Sequence, residues 1–243
     1  MTANKPVSRI SRVFPDRVEI RGRDLVGDVM GRLSFTAHFH LLLTGREPSD
    51  DECFFLDLLL VAIAEHGMMP SNVAARITLA ADPESLHGAV AAGILGAGPV
   101  VLGTSEACAR LLERGGDPLE VARATRASGG KVPGFGHPVH RPLDPRADRI
   151  LELADARGVS GANVAYARRL RDAVAEVWGK PLTMNVALPT AAVLLDLGFS
   201  ADVVKAVPIL ARTAGLLAHL AEERELAAGF LLARAAEDAV DYE

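Results

Sequence analysis

Aromatic side chains are scarce in this chain: one Trp, two Tyr and eight Phe make up 5% of its 243 residues. A core with so few rings must be filled by aliphatic residues, and 49% apolar content is ample for one. Cysteine is scarce too. Cys53 and Cys108 lie in apolar helical contexts and form no metal or redox motif, so a reduced, cytoplasmic setting is expected and no structural metal. Positive charge is not in excess: 26 basic against 31 acidic residues leave a net charge of -5, which argues against nucleic acid as a partner and makes any anion site local. No long apolar run stands out either. Phe54 to Ala64 is interrupted by Asp57 and is too short for a bilayer, so no membrane is expected. The N-terminus, with Lys5, Arg9 and Arg12 and no apolar run behind them, is not read as a secretory signal.

Strand signal is nearly missing as well; Arg17 to Ile20 is the one candidate, as part of a short N-terminal hairpin. Helical patterning dominates, and the fold class expected is all-α. Gly31 to Leu43 places Leu33, Phe35, Phe39, Leu41 and Leu42 before a Thr44-Gly45 stop. Ser49 and Glu52 form a capping box opening a helix to about Glu65. Pro83 and Glu84 suit the first turn of a helix to about Ala97. Further helices are expected over Ser105 to Arg114, Asp117 to Ser128, Pro145 to Arg157, Gly161 to Trp178, Leu188 to Leu197 and Ser200 to Glu225. Small residues at Ala74-Ala75, Ala80-Ala81, Ala89 to Gly93, Gly96 to Gly98 and Ala191-Ala192 suit close helix packing. Solenoid repeats and low-complexity tracts are both missing.

What is present is one unusual segment, Lys131 to Arg146, reading KVPGFGHPVHRPLDPR. Pro138, Pro142 and Pro145 exclude a helix or a regular strand, because each removes a backbone donor and restricts the residue before it. Such a loop is costly to order. The fixed cations Lys131, Arg141 and Arg146 beside the titratable His137 and His140 point to an anionic ligand with proton chemistry nearby. It is not a dinucleotide fingerprint, because the third glycine and a preceding strand are missing. Nor is it a zinc site, because His137 and His140 have no Cys or Glu at ligand spacing. A Gly-x-Ser-x-Gly nucleophile elbow is likewise missing.

The other histidines carry weaker signals. His38 and His40 are two apart and would point to opposite sides of a helix. His219, beside Leu220, reads as surface or satisfied core, and His87 as a structural cap. His66, before Gly67 at a helix end, suits the helix dipole with or without a function.

Four elements in order now resemble a known family, the citrate synthase superfamily: Leu41-Leu42-Leu43-Thr44-Gly45-Arg46-Glu47-Pro48, Glu65-His66-Gly67, the Gly134-Phe135-Gly136-His137 to Asp144-Pro145-Arg146 loop, and Met184-Asn185-Val186. Within it the chain looks most like the short citryl-CoA lyases and the citryl-CoA lyase module of ATP-citrate lyase. The resemblance runs from about Ser34 to Glu225. It implies a large helical domain, residues 1–102 and 199–243, and a small one, residues 103–198, carrying the GFGH loop. It also implies a homodimer or homotetramer that binds coenzyme A, as an acyl-CoA, together with a di- or tricarboxylate. The chemistry implied is cleavage or formation of a carbon–carbon bond beside a thioester, which needs cations on carboxylates, imidazoles on the reacting oxygen and a proton carrier at the acetyl carbon.

Carried over residue by residue, His66 and His137 match the catalytic histidines, His66 also touching the carboxylate substrate. Arg146 and Arg212 match its carboxylate clamps. Lys131, Gly134, Gly136 and Arg141 match the coenzyme A side. The plainer alternative for Arg212 is a helix cation paired with a carboxylate. Two departures stand out. The family's thioester-contacting histidine is replaced by Val101, as in the lyase modules, which favours a lyase over a condensing synthase. The catalytic aspartate expected after Asn185-Val186 is replaced by Ala187. His140 and Asp144 are the local candidates to replace it, and Asp196 lies too far along the next helix. An enzyme and a catalytically silent acyl-CoA-binding relative both remain as readings.

Overall fold

A computed structural model describes residues 6–241; Lys5 and the side chain of Val101 lie outside what it describes. The chain folds as two compact units, residues 1–57 and 58–243.

In the first unit, three short strands, β1 (Ser11–Val13), β2 (Val18–Ile20) and β3 (Arg23–Asp24), form an antiparallel meander in that order. The expected hairpin is there, with a third strand added. A π-helical turn, Leu25–Val29, leads to α1 (Phe35–Thr44), whose amide at Ala37 is capped by Ser34 and whose end is turned by Gly45 at φ 83°. Helix α2 (Asp50–Ala64) opens on the expected capping box. The Glu52 amide donates to Ser49 Oγ at 3.2 Å, and the Ser49 amide to Glu52 Oε2 at 2.7 Å.

The second unit holds the end of α2 and then α3 (Pro70–Ala81), α4 (Leu86–Val101), α5 (Thr104–Arg114), α6 (Pro118–Ala127), α7 (Pro145–Ala156), α8 (Ala162–Trp178), α9 (Ala187–Asp196), α10 (Ala201–Val204), α11 (Ala206–Glu225) and α12 (Gly229–Glu237). Three expectations need correction. Pro83 and Glu84 form a turn ahead of α4 rather than its first turn, because the chain is still leaving α3 there; His87 accordingly lies inside α4, exposed and without a capping bond among the described residues. The stretch from Ser200 is interrupted at Lys205. Ala201–Glu225 as a whole is long and apolar enough to cross a membrane by length and composition, contrary to the expectation that no run would suffice, although 44% of its most apolar window is buried within this protein.

Helix α3 packs on α4, and α11 and α12 pack on α3, while α5, α7 and α8 pack on α9 and α6 packs on α8. The small residues make the close contacts. A Cβ on Gly93 of α4 would lie 2.6 Å from Leu216 of α11 and 3.0 Å from Ala75 of α3, so only glycine permits this approach. Ala75, Leu79, Ala89, Leu216 and Leu220 form the buried cluster where α3, α4 and α11 meet. This packing fixes the faces of α3 and α11 that carry charge.

Candidate active site

The proline-rich loop is anchored along its length to the segment before α9. Gly136 N donates to Thr183 O at 2.7 Å and Asn185 N to Gly134 O at 2.9 Å, and Phe135 and Met184 form an antiparallel bridge. Thr183 Oγ1 donates to the carbonyls of His140 and Pro142. Gly134 must be glycine: its φ is +83°, and a Cβ there would sit 2.6 Å from that of Leu188. The cost of ordering this loop is thus met by main-chain bonds that a polar ligand does not have to supply.

At the loop's end Asp144 caps α7 and grips Arg146. Its Oδ1 accepts from Arg146 N at 3.1 Å and Nε at 3.0 Å, and Oδ2 from Arg146 Nη2 at 2.9 Å and Val186 N at 3.1 Å. Burial would raise the Asp144 pKa, yet Arg146 and these amides outweigh it and hold the carboxyl below its usual range. Arg146 Nη2 lies 3.5 Å from His137 Nε2. His137 Nδ1 accepts from the amides of Val139 at 3.1 Å and His140 at 2.8 Å, which leaves the proton of the neutral ring on Nε2. Two donors therefore face each other, and an oxygen between them satisfies both. Burial first, then His140 and Arg146, lowers the His137 pKa and keeps this ring neutral.

The second half comes from α2 and α11. Arg212 is 1% exposed. Its Nη2 donates to His66 Nδ1 at 2.7 Å and to Ile63 O at 3.3 Å, and its Nη1 lies 3.6 Å from Glu65 Oε2. Nε and Nη1 make no hydrogen bond among the described residues. Burying a guanidinium with donors unmet is costly, so these donors belong to a ligand or water. Lost hydration on its packed side, then the fields of Arg212 and Arg146, push the His66 imidazole down to about 4 although the residue is exposed. His66 is thus a neutral donor through Nε2.

The structure brings His66, His137, Arg146 and Arg212 together: Arg146 and His137 act electrostatically on His66, and Arg146 on Arg212. Lys131 and Arg141 are exposed and without an ion pair among the described residues, and do not touch this cluster. Gly134 and Gly136 serve the loop's backbone.

Glu65, Asn72, Arg76 and His219 escaped the sequence. Glu65 Oε1 accepts from the amides of His66 (2.9 Å) and Gly67 (2.7 Å) and from Asn72 Nδ2 (3.1 Å), while Oε2 faces His219 Nε2 at 3.1 Å. Arg76 Nε donates to His219 Nδ1 at 3.1 Å. The available signal was the place of Glu65 in the Glu65-His66-Gly67 element; nothing local pairs Asn72 and Arg76 with His219, which lies 147 and 143 residues away. Asp196 is spent on capping α8, accepting from the amides of Gly161, Asn163 and Val164 at 2.8, 2.9 and 3.0 Å, so it is no replacement for a carboxylate at Ala187. Other arginine-lined hollows, beside Arg23 and beside Arg123, already hold paired cations, with Glu47 and Glu176.

Fold and cluster together define a helical protein with two guanidiniums and two neutral imidazoles gathered from distant parts of the chain. The chain belongs to the citrate synthase family, and residues 16–234 match the family described as citrate synthase, C-terminal domain. It is 32% identical over 201 residues to a citrate synthase of Synechocystis, covering 79% of this chain and 50% of that one. This chain therefore spans about half the length of that relative. The citryl-CoA lyase of Hydrogenobacter thermophilus superposes with a TM-score of 0.83 at 29% identity, covering 89% of this chain and 86% of that chain. The ATP citrate lyase of Methanothrix soehngenii, solved with citrate and coenzyme A, superposes at 0.85 over 100% of this chain and 42% of its own; at 21% identity it speaks for the fold alone.

Proposed function

We propose that this protein cleaves, or in reverse forms, the carbon–carbon bond between an acetyl-CoA unit and a keto-acid such as oxaloacetate, in the manner of a citryl-CoA lyase. The observation that carries this reading is Arg212, buried with Nε and Nη1 unmet beside His66. A substrate carboxylate answers those donors, and Arg146 takes a second carboxylate. The hydroxyl oxygen that becomes the keto oxygen lies between His137 Nε2 and Arg146 Nη2, where the negative charge developing on it as its proton leaves is met by fixed donors. Unpaired Lys131 and Arg141 suit the phosphates of coenzyme A, which enters as part of the substrate. A TM-score of 0.83 to a citryl-CoA lyase at 29% identity supports cleavage. We extend the reading to a division into residues 1–102 with 199–243 and 103–198, to a homodimer or homotetramer, and to a cytoplasmic location.

Ala187 favours a second reading, a silent acyl-CoA and carboxylate binder, and the similarity to citrate synthases keeps a condensing acyltransferase as the third. Incubation with citryl-CoA and with malyl- and citramalyl-type thioesters, with assay of free keto-acid, separates them. Keto-acid release supports the lyase. Binding of coenzyme A with no turnover of any thioester supports the silent binder. The Ala187→Asp variant is expected to raise the rate on citryl-CoA.

A further inference from the structure

With alanine at 187, cleavage lacks a carboxylate at the acetyl carbon, and each titratable group beside the cluster can be checked for a free nitrogen or oxygen. Asp144 has both oxygens taken by Arg146 and Val186. Glu65 has both taken by main-chain amides, Asn72 and His219. His66 and His137 each have Nδ1 occupied as an acceptor and Nε2 committed as a donor. Asp196 caps α8. Cys108 is buried, and burial pushes its thiol pKa up.

His140 is different. Its ring stacks on His137 with centroids 4.4 Å apart and planes tilted by 34°. The residue is half-buried, and neither ring nitrogen has a hydrogen-bond partner among the described residues. Its main chain is held on both sides, the amide donating to His137 Nδ1 at 2.8 Å and the carbonyl accepting from Thr183 Oγ1 at 3.1 Å. The main chain is therefore held, and the imidazole, stacked on His137, lies one ring away from the oxygen site between His137 and Arg146.

On the lyase reading above, we propose that His140 is the proton carrier of this enzyme. Its free ring nitrogen takes the substrate's hydroxyl proton. The bond to the acetyl carbon then breaks, its electron pair passing to the thioester enolate as the keto group forms. The imidazolium returns the same proton to the enolate carbon, giving the acetyl thioester and a neutral ring. One proton is taken and returned, and no co-reactant is required.

The test compares wild type, His140→Ala and His140→Gln, which keeps bulk without titrating, for citryl-CoA cleavage and for binding of citrate and coenzyme A. General acid–base groups contribute roughly 10²–10⁴ in rate, so turnover falls about 100-fold or more in whichever variant folds, while both affinities stay within about threefold. Adding Ala187→Asp to that variant restores at least about tenfold of the rate. Turnover within about threefold of wild type overturns the proposal, and so does a loss of citrate binding that accounts for the whole fall in rate. Wild type inert on citryl-CoA and on the malyl- and citramalyl-type thioesters removes the lyase reading and this inference together. Wild type active with His140 variants equally active removes the inference alone.

Discussion

Arg76 and Arg212 are both 1% exposed, both on helices of the second unit, and both beside a histidine and a glutamate. Their surroundings differ in one respect. Arg76 is saturated: Nη1 donates to Glu223 at 2.8 Å, Nη2 to Glu222, and Nε to His219. Glu223 in turn accepts from the amides of Ala228 and Gly229, fixing the start of α12. Arg212 has one carboxylate at 3.6 Å and two nitrogens with no hydrogen bond. Equal burial with unequal satisfaction separates a side chain that serves the fold from one that awaits a ligand. Burial alone marks neither.

The contrast breaks first at Arg76. Arg76→Met strands Glu223 at 4% exposure, and leaving one partner of a buried pair uncompensated costs about 3–5 kcal/mol, so thermal unfolding should drop sharply. A drop no larger than that of a surface mutation contradicts the structural role. Arg212→Met is next. Two charge-assisted hydrogen bonds at about 1.5 kcal/mol or more each correspond to a loss of roughly 100-fold in citrate affinity, with the melting temperature held or raised because an unmet buried charge has gone. A third prediction concerns the seat of Arg212. A Cβ on Gly215 would lie 2.1 Å from Ala64 O, so Gly215→Ala must push α11 off the end of α2, costing about 1–3 kcal/mol in chemical denaturation and weakening citrate binding in parallel.

The smallest effect is in His66. Its folded pKa of about 4 lies below the usual 6.5, so the unfolded chain takes up the proton first. Its contribution to stability is complete above pH 6.5 and is lost as the pH falls from there toward 4. The ring's NMR titration should have its midpoint near 4 and move upward in Arg212→Met, because a neighbouring positive charge has been removed. An unmoved midpoint breaks the coupling of the two groups.

The loop was legible because proline and glycine act locally: the stops at Pro138, Pro142 and Pro145 and the turns at Gly134 and Gly136 are properties of a few consecutive residues. Helix starts at Ser49 and Asp117 were legible for the same reason, and Asp117 indeed accepts from the amides of Leu119 and Glu120, whereas the first helix begins after its cap Ser34 and not at Gly31 as expected. Helix α3 was missed despite Pro70 at its first turn, because neither a side-chain cap nor a clear stop brackets it. His219 read as surface or satisfied core, and it is partly buried and satisfied. What its sequence neighbours could not reveal is the identity of its partners, Asn72 and Arg76, 147 and 143 residues away. The interruption at Lys205 follows from Pro208, which has no N–H to donate to Val204 O and so sits in the first turn of a new helix.

Citrate added to ¹⁵N-labelled protein, followed through the arginine Nε–H resonances, tests the central claim most directly. Binding should shift Arg212 Nε strongly and leave Arg76 Nε in place, since one is unmet and the other already donates to His219. Saturable citrate binding that leaves Arg212 unmoved would contradict the account.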